Sequence, residues 1–395
     1  MSASELSLPS SDPLSFAAWD GPVVTPDVVE KYQEFADAGF TYNMTVFVDE
    51  EQARIGLDAA HKAGVKVLTR YWPHSPTVKP ADMARLFKDH PGLGGYVLQD
   101  EPVISEFPAV LARAKEVLAA DPDPGKIICV NLLPVYAGHE MLELKPHQKY
   151  EDYVCKFLSE VPVNVLSYDH YPLKRLGVIK SWYENMLIGQ RVARSAEIPF
   201  WPLISCCSAD LFPDPTLGVM RIQTYTNLAM GAAVVVHAVY CTNVGREAPY
   251  VCGRRTHVYD LVKQVNHEIQ AQAGVFVGSK TWYNPRWSGP DLPRVQEGWG
   301  EGGYQAYKPS GPIQSLATGN KNALVNCLQK EAYRFLVIVN QDFLEPMPLS
   351  VSWRADIPIG RVQRDGSVQM LNQASLETNV DPGDAAILMW MASDK

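Results

Sequence analysis

Positive charge is in short supply: 35 Lys and Arg stand against 44 Asp and Glu, a formal net charge of −9 over 395 residues. Holding a polyanion by bulk electrostatics requires clustered cations, so no nucleic-acid partner is expected, although a few local Arg or Lys residues could still seat a sulfated or uronate sugar. No stretch of about 18 apolar residues occurs, and Met1–Ser11 carries no basic segment followed by an apolar run. The expectation is therefore a soluble chain without a membrane partner. A leader removed earlier would leave the same N-terminus, so an extracytoplasmic location stays open, as does the oligomeric state.

Cysteine is sparse and unpaired in pattern. Seven are present, Cys206–Cys207 is the only close pair, and neither a disulfide framework nor a C-x-x-C motif is written. No Gly-x-Gly-x-x-Gly follows a strand, no Walker-type loop occurs, and His-Glu-x-x-His is missing. No cofactor is expected, and the scattered His74, His170 and His237 do not have the spacing of zinc ligands.

What is present is a repeated alternation of a short apolar run with an amphipathic segment, the pattern that closes parallel strands into a barrel. The units are Leu14–Trp19 with Pro26–Ala38, Phe40–Phe47 with Glu50–Ala63, Val65–Trp72 with Pro80–Asp89, and Gly95–Gln99 with Glu106–Ala120. They continue as Lys126–Leu133 with Tyr150–Glu160, Val163–Tyr168 with Trp182–Ala196, Pro199–Ser205 with Thr216–Met230, and Ala232–Cys241 with Thr256–Ala273. Thr25 is placed to cap the first helix and Gly39 to end it. Eight such units predict an α/β fold, a (β/α)8 TIM barrel over residues 1–277.

After Gly274 the texture changes. Gly278–Gly311 is rich in Gly, Pro and Trp, and alternating runs such as Phe335–Val339 and Leu349–Trp353 follow. Residues 278–321 are read as a connection that could reach over the barrel mouth, and 322–395 as a small C-terminal β-sandwich-like domain that either binds glycan or braces the barrel.

In such a barrel the chemistry lies at the C-terminal ends of the strands. Those ends supply Trp19, Asp20, Arg70, Tyr71, Trp72, Gln99, Asp100, Glu101, Asn131, Asp169, His170, Tyr171, Ser205, Cys206, Cys207, His237 and Tyr240. Aromatic rings stack on the apolar face of a pyranose, amides and carboxylates bind its hydroxyls, and glycosidic cleavage needs two carboxyl groups. A carbohydrate substrate is therefore expected.

Strand four ends in Gln99-Asp100-Glu101-Pro102, and adjacent acids at a mouth raise one another's pKa, as general-acid work near neutral pH requires. Alternatively one of them caps a loop or pairs with Arg70. In Leu166–Pro172, alternation puts Ser167, Asp169 and Tyr171 on one face; Asp169 then either looks across at strand four or accepts bonds in a turn. Asn131 lies between, ready to hold a hydroxyl, orient a carboxylate or serve as a buried amide. Trp19, Asp20, Tyr71, Trp72, Gln99, Asn131, His170, Tyr171, His237 and Tyr240 are the expected substrate-binding set, with Glu101, Asp169 and Asp100 the catalytic one.

Gly95–Pro102, Asn131-Leu132-Leu133-Pro134 and Leu166–Pro172 together resemble a group of bacterial barrel proteins classed as glycoside hydrolases. In architecture the chain resembles clan A, whose acid/base Glu ends strand four and whose nucleophilic Glu ends strand seven. Glu101 matches the first position. Strand seven here ends in Ser205-Cys206-Cys207, with Asp210 the nearest acid, and Asp100 stands where the clan has Asn. The chain also resembles the clan of the α-galactosidases, which would make Asp100 the nucleophile and Asp169 the acid. The working assignment is Glu101 as acid/base and Asp169 as nucleophile or base, with Asp100 tuning them; retention is the expected outcome, and inversion the alternative if the carboxyls stand roughly 6.5 to 9.5 Å apart rather than roughly 5 Å. The alternatives are a carbohydrate-binding barrel without catalysis and a metal-dependent hydrolase.

Overall fold

The computed structural model of the chain describes all residues except 1–5, 73–76, 176, 210, 244–246, 282–284, 294–302 and 393–395. His74 and Asp210 thus lie outside the described residues. The barrel strands are β1 (Ser15–Trp19), β2 (Tyr42–Thr45), β3 (Lys66–Arg70), β4 (Leu93–Asp100), β5 (Ile127–Leu132), β6 (Leu166–Asp169), β7 (Phe200–Ser205) and β8 (Val234–Ala238). They close in sequential order into a parallel barrel in which β8 pairs back onto β1. Strands covered by helices outside and side chains inside are buried on both faces, which is why β8 reads Val-Val-Val-His-Ala.

The helices between them are α1 (Val28–Asp37), α2 (Glu50–Lys62), α3 (Pro80–Phe87), α4 (Phe107–Ala120), α5 (Tyr150–Glu160), α6 (Ser181–Ser195), α7 (Leu217–Ala229) and α8 (His257–Ala271). Asp49, Thr216 and Thr256 cap α2, α7 and α8 by accepting backbone N–H bonds. The first helix differs from expectation. Asp27 occupies its N-cap position and the Thr25 hydroxyl donates to the Asp27 carboxylate at 2.6 Å, so α1 begins at Val28. Gly39 does end it, with φ +87°.

The barrel lumen is packed by Ala17, Met44, Leu68, Val97, Cys129, Val165, Trp201, Leu203, Val234 and Val236. A second core lies between barrel and helices. These two cores set the phase of each strand: Leu68, Val97, Cys129 and Val165 point inward, so Arg70, Asn131, Ser167 and Asp169 follow them toward the mouth.

The C-terminal region is built of sheets. A short β9 (Arg286–Ser288) and β10 (Ile313–Ala317) precede β11 (Ala323–Lys330), β12 (Tyr333–Asn340), β13 (Met347–Trp353), β14 (Gly360–Val362), β15 (Val368–Met370), β16 (Ser375–Val380) and β17 (Ala385–Met391). Segment 278–321 does more than connect: Lys280–Thr281 and β9 pair with β11, and β10 pairs with β13. Its described part lies against α6, where Tyr304 Oη donates to the Tyr183 carbonyl at 3.0 Å.

The larger sheet is apolar on both faces for a physical reason. Leu324, Leu328, Phe335, Val337 and Val339 join the core around the barrel, while Val325, Cys327, Leu336 and Ile338 meet Leu349, Val351 and Trp353 of the smaller sheet. Asn326 donates to the Ala229 carbonyl at 2.7 Å and Gln341 to Thr226 at 3.0 Å, which fixes this sheet on α7. Among the described residues no helix is long and apolar enough to cross a membrane.

Candidate active site

The end of β4 is distorted. Its register with β5 shifts between Val97 and Asp100, and Glu101 takes φ +46° while donating its backbone N–H to the Asn131 carbonyl at 2.8 Å. Asp20, just past β1, also has positive φ, +55°. Left-handed backbone is disfavoured for a residue with a Cβ, and here it occurs twice at the mouth beside acids.

Asn131 sits at the centre. Its Nδ2 donates to Asp100 Oδ1 at 2.9 Å and to Asp169 Oδ1 at 3.1 Å, and its Oδ1 accepts from Ser167 Oγ at 3.4 Å. The Glu101 and Asp169 carboxyls are within hydrogen-bond reach of each other. One proton between two carboxyls satisfies such a contact, whereas two negative charges would not.

Burial raises the pKa of Asp169 well above the usual carboxylate range, and the charges of Glu101 and Asp100 add to it against the Asn131 hydrogen bond. Glu101 is raised by partial burial and by Asp100, opposed by its bond with Asp169. Asp100 is raised by burial, while the Asn131 amide and the Arg70 guanidinium pull it back. Asp169 is thus the acid most strongly held protonated, while Asp100, though also raised by burial, has both the Asn131 amide and the Arg70 guanidinium in support of its charge.

Arg70 is buried at 5% exposure, hydrogen-bonds to Asp20, and lies over the rings of Trp19 at 4.4 Å and Trp72 at 5.3 Å. Burial raises Asp20, and Arg70 counters that shift. Tyr171 faces the lumen beside the acids and packs 5.9 Å from Phe212. The expected residues Asp20, Trp19, Trp72, Asp100, Glu101, Asn131, Asp169 and Tyr171 are therefore brought together.

The other five are held by partners of their own. His237 is fully buried, edge-on to Phe16 and Phe40, with its pKa pushed down to about 3 by burial. Val234 and Val236 take the lumen side, so alternation turns His237 toward the helices. Tyr240 packs against Phe35, Phe40 and Tyr250 in the same outer layer. Gln99 accepts from Arg113 of α4, whose guanidinium also covers Tyr71 at 5.2 Å. His170 is also fully buried; its Nε2 lies 3.1 Å from Ser181 Oγ and burial pushes it down to about 3, so it supports the mouth as a neutral ring.

Two residues were not in the expected set. Arg70, expected only as a possible partner of Asp100 or Glu101, falls inward two residues after Leu68 and pairs with Asp20. Tyr136, in a short turn after β5, is brought edge-on to His170 at 4.8 Å, and no periodicity marks it. Strand β7 delivers Ser205, bonded to the Cys207 carbonyl at 2.9 Å, and no carboxylate. Among the described residues no group of three or more His, Cys, Asp or Glu is arranged to hold a metal.

A cavity of about 490 Å³ opens elsewhere, lined by Lys180, Tyr183, Trp287, Asn322, Gln341 and Asp342 among others. Its polar groups pair with one another, Tyr183 with Gln341 at 2.8 Å and Lys321 with Asp342 at 2.9 Å, so it reads as a seam between barrel and sheets. None of the clustered carboxyls Asp100, Glu101 and Asp169 lines it.

No family model and no curated protein matches the chain. Solved structures do. A catalytic mutant of Gan42B, a GH42 β-galactosidase from G. stearothermophilus, superposes with a TM-score of 0.61 at 8% identity, covering 98% of this chain and 99% of that one. A GH27 β-L-arabinopyranosidase from Geobacillus stearothermophilus gives 0.53 at 12% identity, covering 96% of each chain. A β-galactosidase from the psychrophilic Marinomonas ef1 gives 0.50 at 12% identity and covers 66% of this chain, which spans 60% of that protein's length. At such identities the likeness is one of fold, a closed eight-stranded (β/α)8 barrel.

Proposed function

We propose that this chain is a glycoside hydrolase acting on a poly- or oligosaccharide, with Asp100 as nucleophile, Asp169 as general acid and base, and retention at the anomeric carbon. The observation that carries the reading is the Asn131 clamp. Two acceptors held by the two hydrogens of one amide nitrogen, at 2.9 and 3.1 Å, are bounded to within about 6 Å of each other. The fork of an NH2 group sets them near ~5 Å, the spacing of retaining carboxyl pairs.

In the first step Asp169 gives its proton to the glycosidic oxygen while the Asp100 carboxylate forms a bond to the anomeric carbon and the leaving sugar departs. In the second, the Asp169 carboxylate takes a proton from water, whose oxygen displaces Asp100. Glu101 shares its proton with Asp169 and so favours the loaded acid. The working assignment from the sequence, with Glu101 and Asp169 as the pair, has less support because those two carboxyls lie within hydrogen-bond reach of each other, closer than the roughly 5 Å of a retaining pair. Solved barrels named as galactosidase and arabinopyranosidase share the fold over nearly the whole length, which supports the reaction class.

Residues 1–277 are the catalytic barrel in this reading, 278–321 the connecting segment, and 322–395 a small sandwich-like accessory domain that braces α7. The experiment is a glycan activity panel on wild type and on folded Asp100→Asn, Asp169→Asn and Glu101→Gln variants. Loss of about a thousandfold or more in both Asp variants is expected. Cleavage that survives both places the chemistry elsewhere. Binding without any cleavage favours a non-catalytic carbohydrate-binding barrel, the reading that the carboxylate-free end of β7 suggests.

A further inference from the structure

Among the described Trp, Tyr and Phe residues the most exposed are Trp72, at 39%, and Tyr136, at 52%; all the others are buried or half-buried. Both stand at the barrel mouth. Trp72 follows β3, with Arg70 against its ring. Tyr136 follows β5, in a T-shaped contact with His170, and lies close enough to Asp169 and Glu101 that their charges add to burial in holding its phenol protonated. Strand β4, which ends in Asp100 and is followed by Glu101, lies between β3 and β5. Two strand spacings separate the platforms at the barrel wall, roughly 10 Å.

A large ring left in water contributes little to the fold, and two of them flanking one acid cluster are unlike scattered surface apolar residues. A pyranose presents an apolar face that an aromatic ring covers well. The charges narrow the ligand further. Asp20, Asp100, Glu101 and Asp169 gather at the mouth, and the Arg70 guanidinium reaches only Asp20, which it bonds, and Asp100, so an uncharged sugar suits the mouth better than a uronate.

We propose that Trp72 and Tyr136 are paired stacking platforms for a neutral oligosaccharide that crosses the mouth from the β3 side to the β5 side, with sugar rings on both sides of the carboxyl cluster. This rests on the glycosidase reading for the place of the scissile bond. It adds the direction of the chain and a requirement for several linked units. A single sugar engages one platform only.

The test is calorimetric binding in an Asp100→Asn background, where ligand is not consumed, with Trp72→Ala, Tyr136→Ala and Tyr136→Phe added singly. The probes are linear glucose, galactose, mannose and xylose oligosaccharides, α- and β-linked, from monosaccharide to hexasaccharide. Both platforms are exposed, so the variants keep the wild-type melting temperature. At least one series is expected to bind about tenfold more tightly as a tetrasaccharide than as its monosaccharide. Each Ala variant is expected to weaken the longer ligands about fivefold, while Tyr136→Phe retains them.

The proposal is overturned if no series binds, if affinity does not grow with length, or if both Ala variants bind as tightly as their parent. Binding that behaves as expected in a protein whose wild type cleaves none of these sugars removes the hydrolase reading and keeps the platforms. Cleavage by a wild type whose oligosaccharide affinity ignores Trp72 and Tyr136 removes the platforms and keeps the hydrolase.

Discussion

Asp100 and Asp169 come from strands that do not pair with each other, yet both accept from a single nitrogen, the Nδ2 of Asn131, at 2.9 and 3.1 Å. One amide therefore sets the spacing of two carboxylates and stabilises the charge on each. The residue between them in barrel order is a positioning group.

Asn131→Ala is expected to lower kcat about a hundredfold with a smaller change in KM, because it frees both carboxylates from their common donor without removing either. Steady-state kinetics on the best panel substrate checks this. The pH profile gives a second readout: loss of the hydrogen bond raises Asp100, so the acid limb moves to higher pH. An unchanged profile with a reduced melting temperature would mean a merely structural amide.

Glu101→Gln is expected to shift the basic limb of kcat/KM toward lower pH. The sign follows from the charges: Glu101 raises the pKa of Asp169, so removing its carboxyl lets Asp169 lose its proton earlier. A shift of about one pH unit corresponds to ~1.4 kcal/mol of coupling. A pH–rate series on both proteins decides the matter, and a basic limb that stays in place counts against proton sharing between the two groups.

His237→Leu is expected to leave activity within about twofold of wild type and the melting temperature equal or higher. Both ring nitrogens are buried without a hydrogen-bond partner, so an apolar side chain of similar bulk removes unsatisfied polar atoms from the layer around Phe16 and Phe40. Thermal denaturation beside an activity assay tests it. A large activity loss in a folded variant would return His237 to the site.

The barrel was legible because its cause is local. Apolar runs long enough for buried strands, each followed by a 3.6-residue period, need helices over a parallel sheet, eight such units close it into a barrel, and α5 begins and ends where Tyr150–Glu160 was read. The polar ends of β4 and β6 stood out for the same reason: an acid at the end of such a run is expensive unless it meets water or a partner.

The phase of those strands was not legible, since a strand buried on both faces shows no alternation from which inward and outward can be told. Val-Val-Val-His-Ala gives no sign that His237 turns outward, and the register shift in β4 that sends Gln99 to Arg113 while Asp100 meets Asn131 has no sequence mark. The sequence by itself determined that a barrel forms and that strands four and six end in acids. Only the tertiary structure decided which side chains meet there, because the side on which each strand's residues fall depends on packing against neighbours far away in the chain.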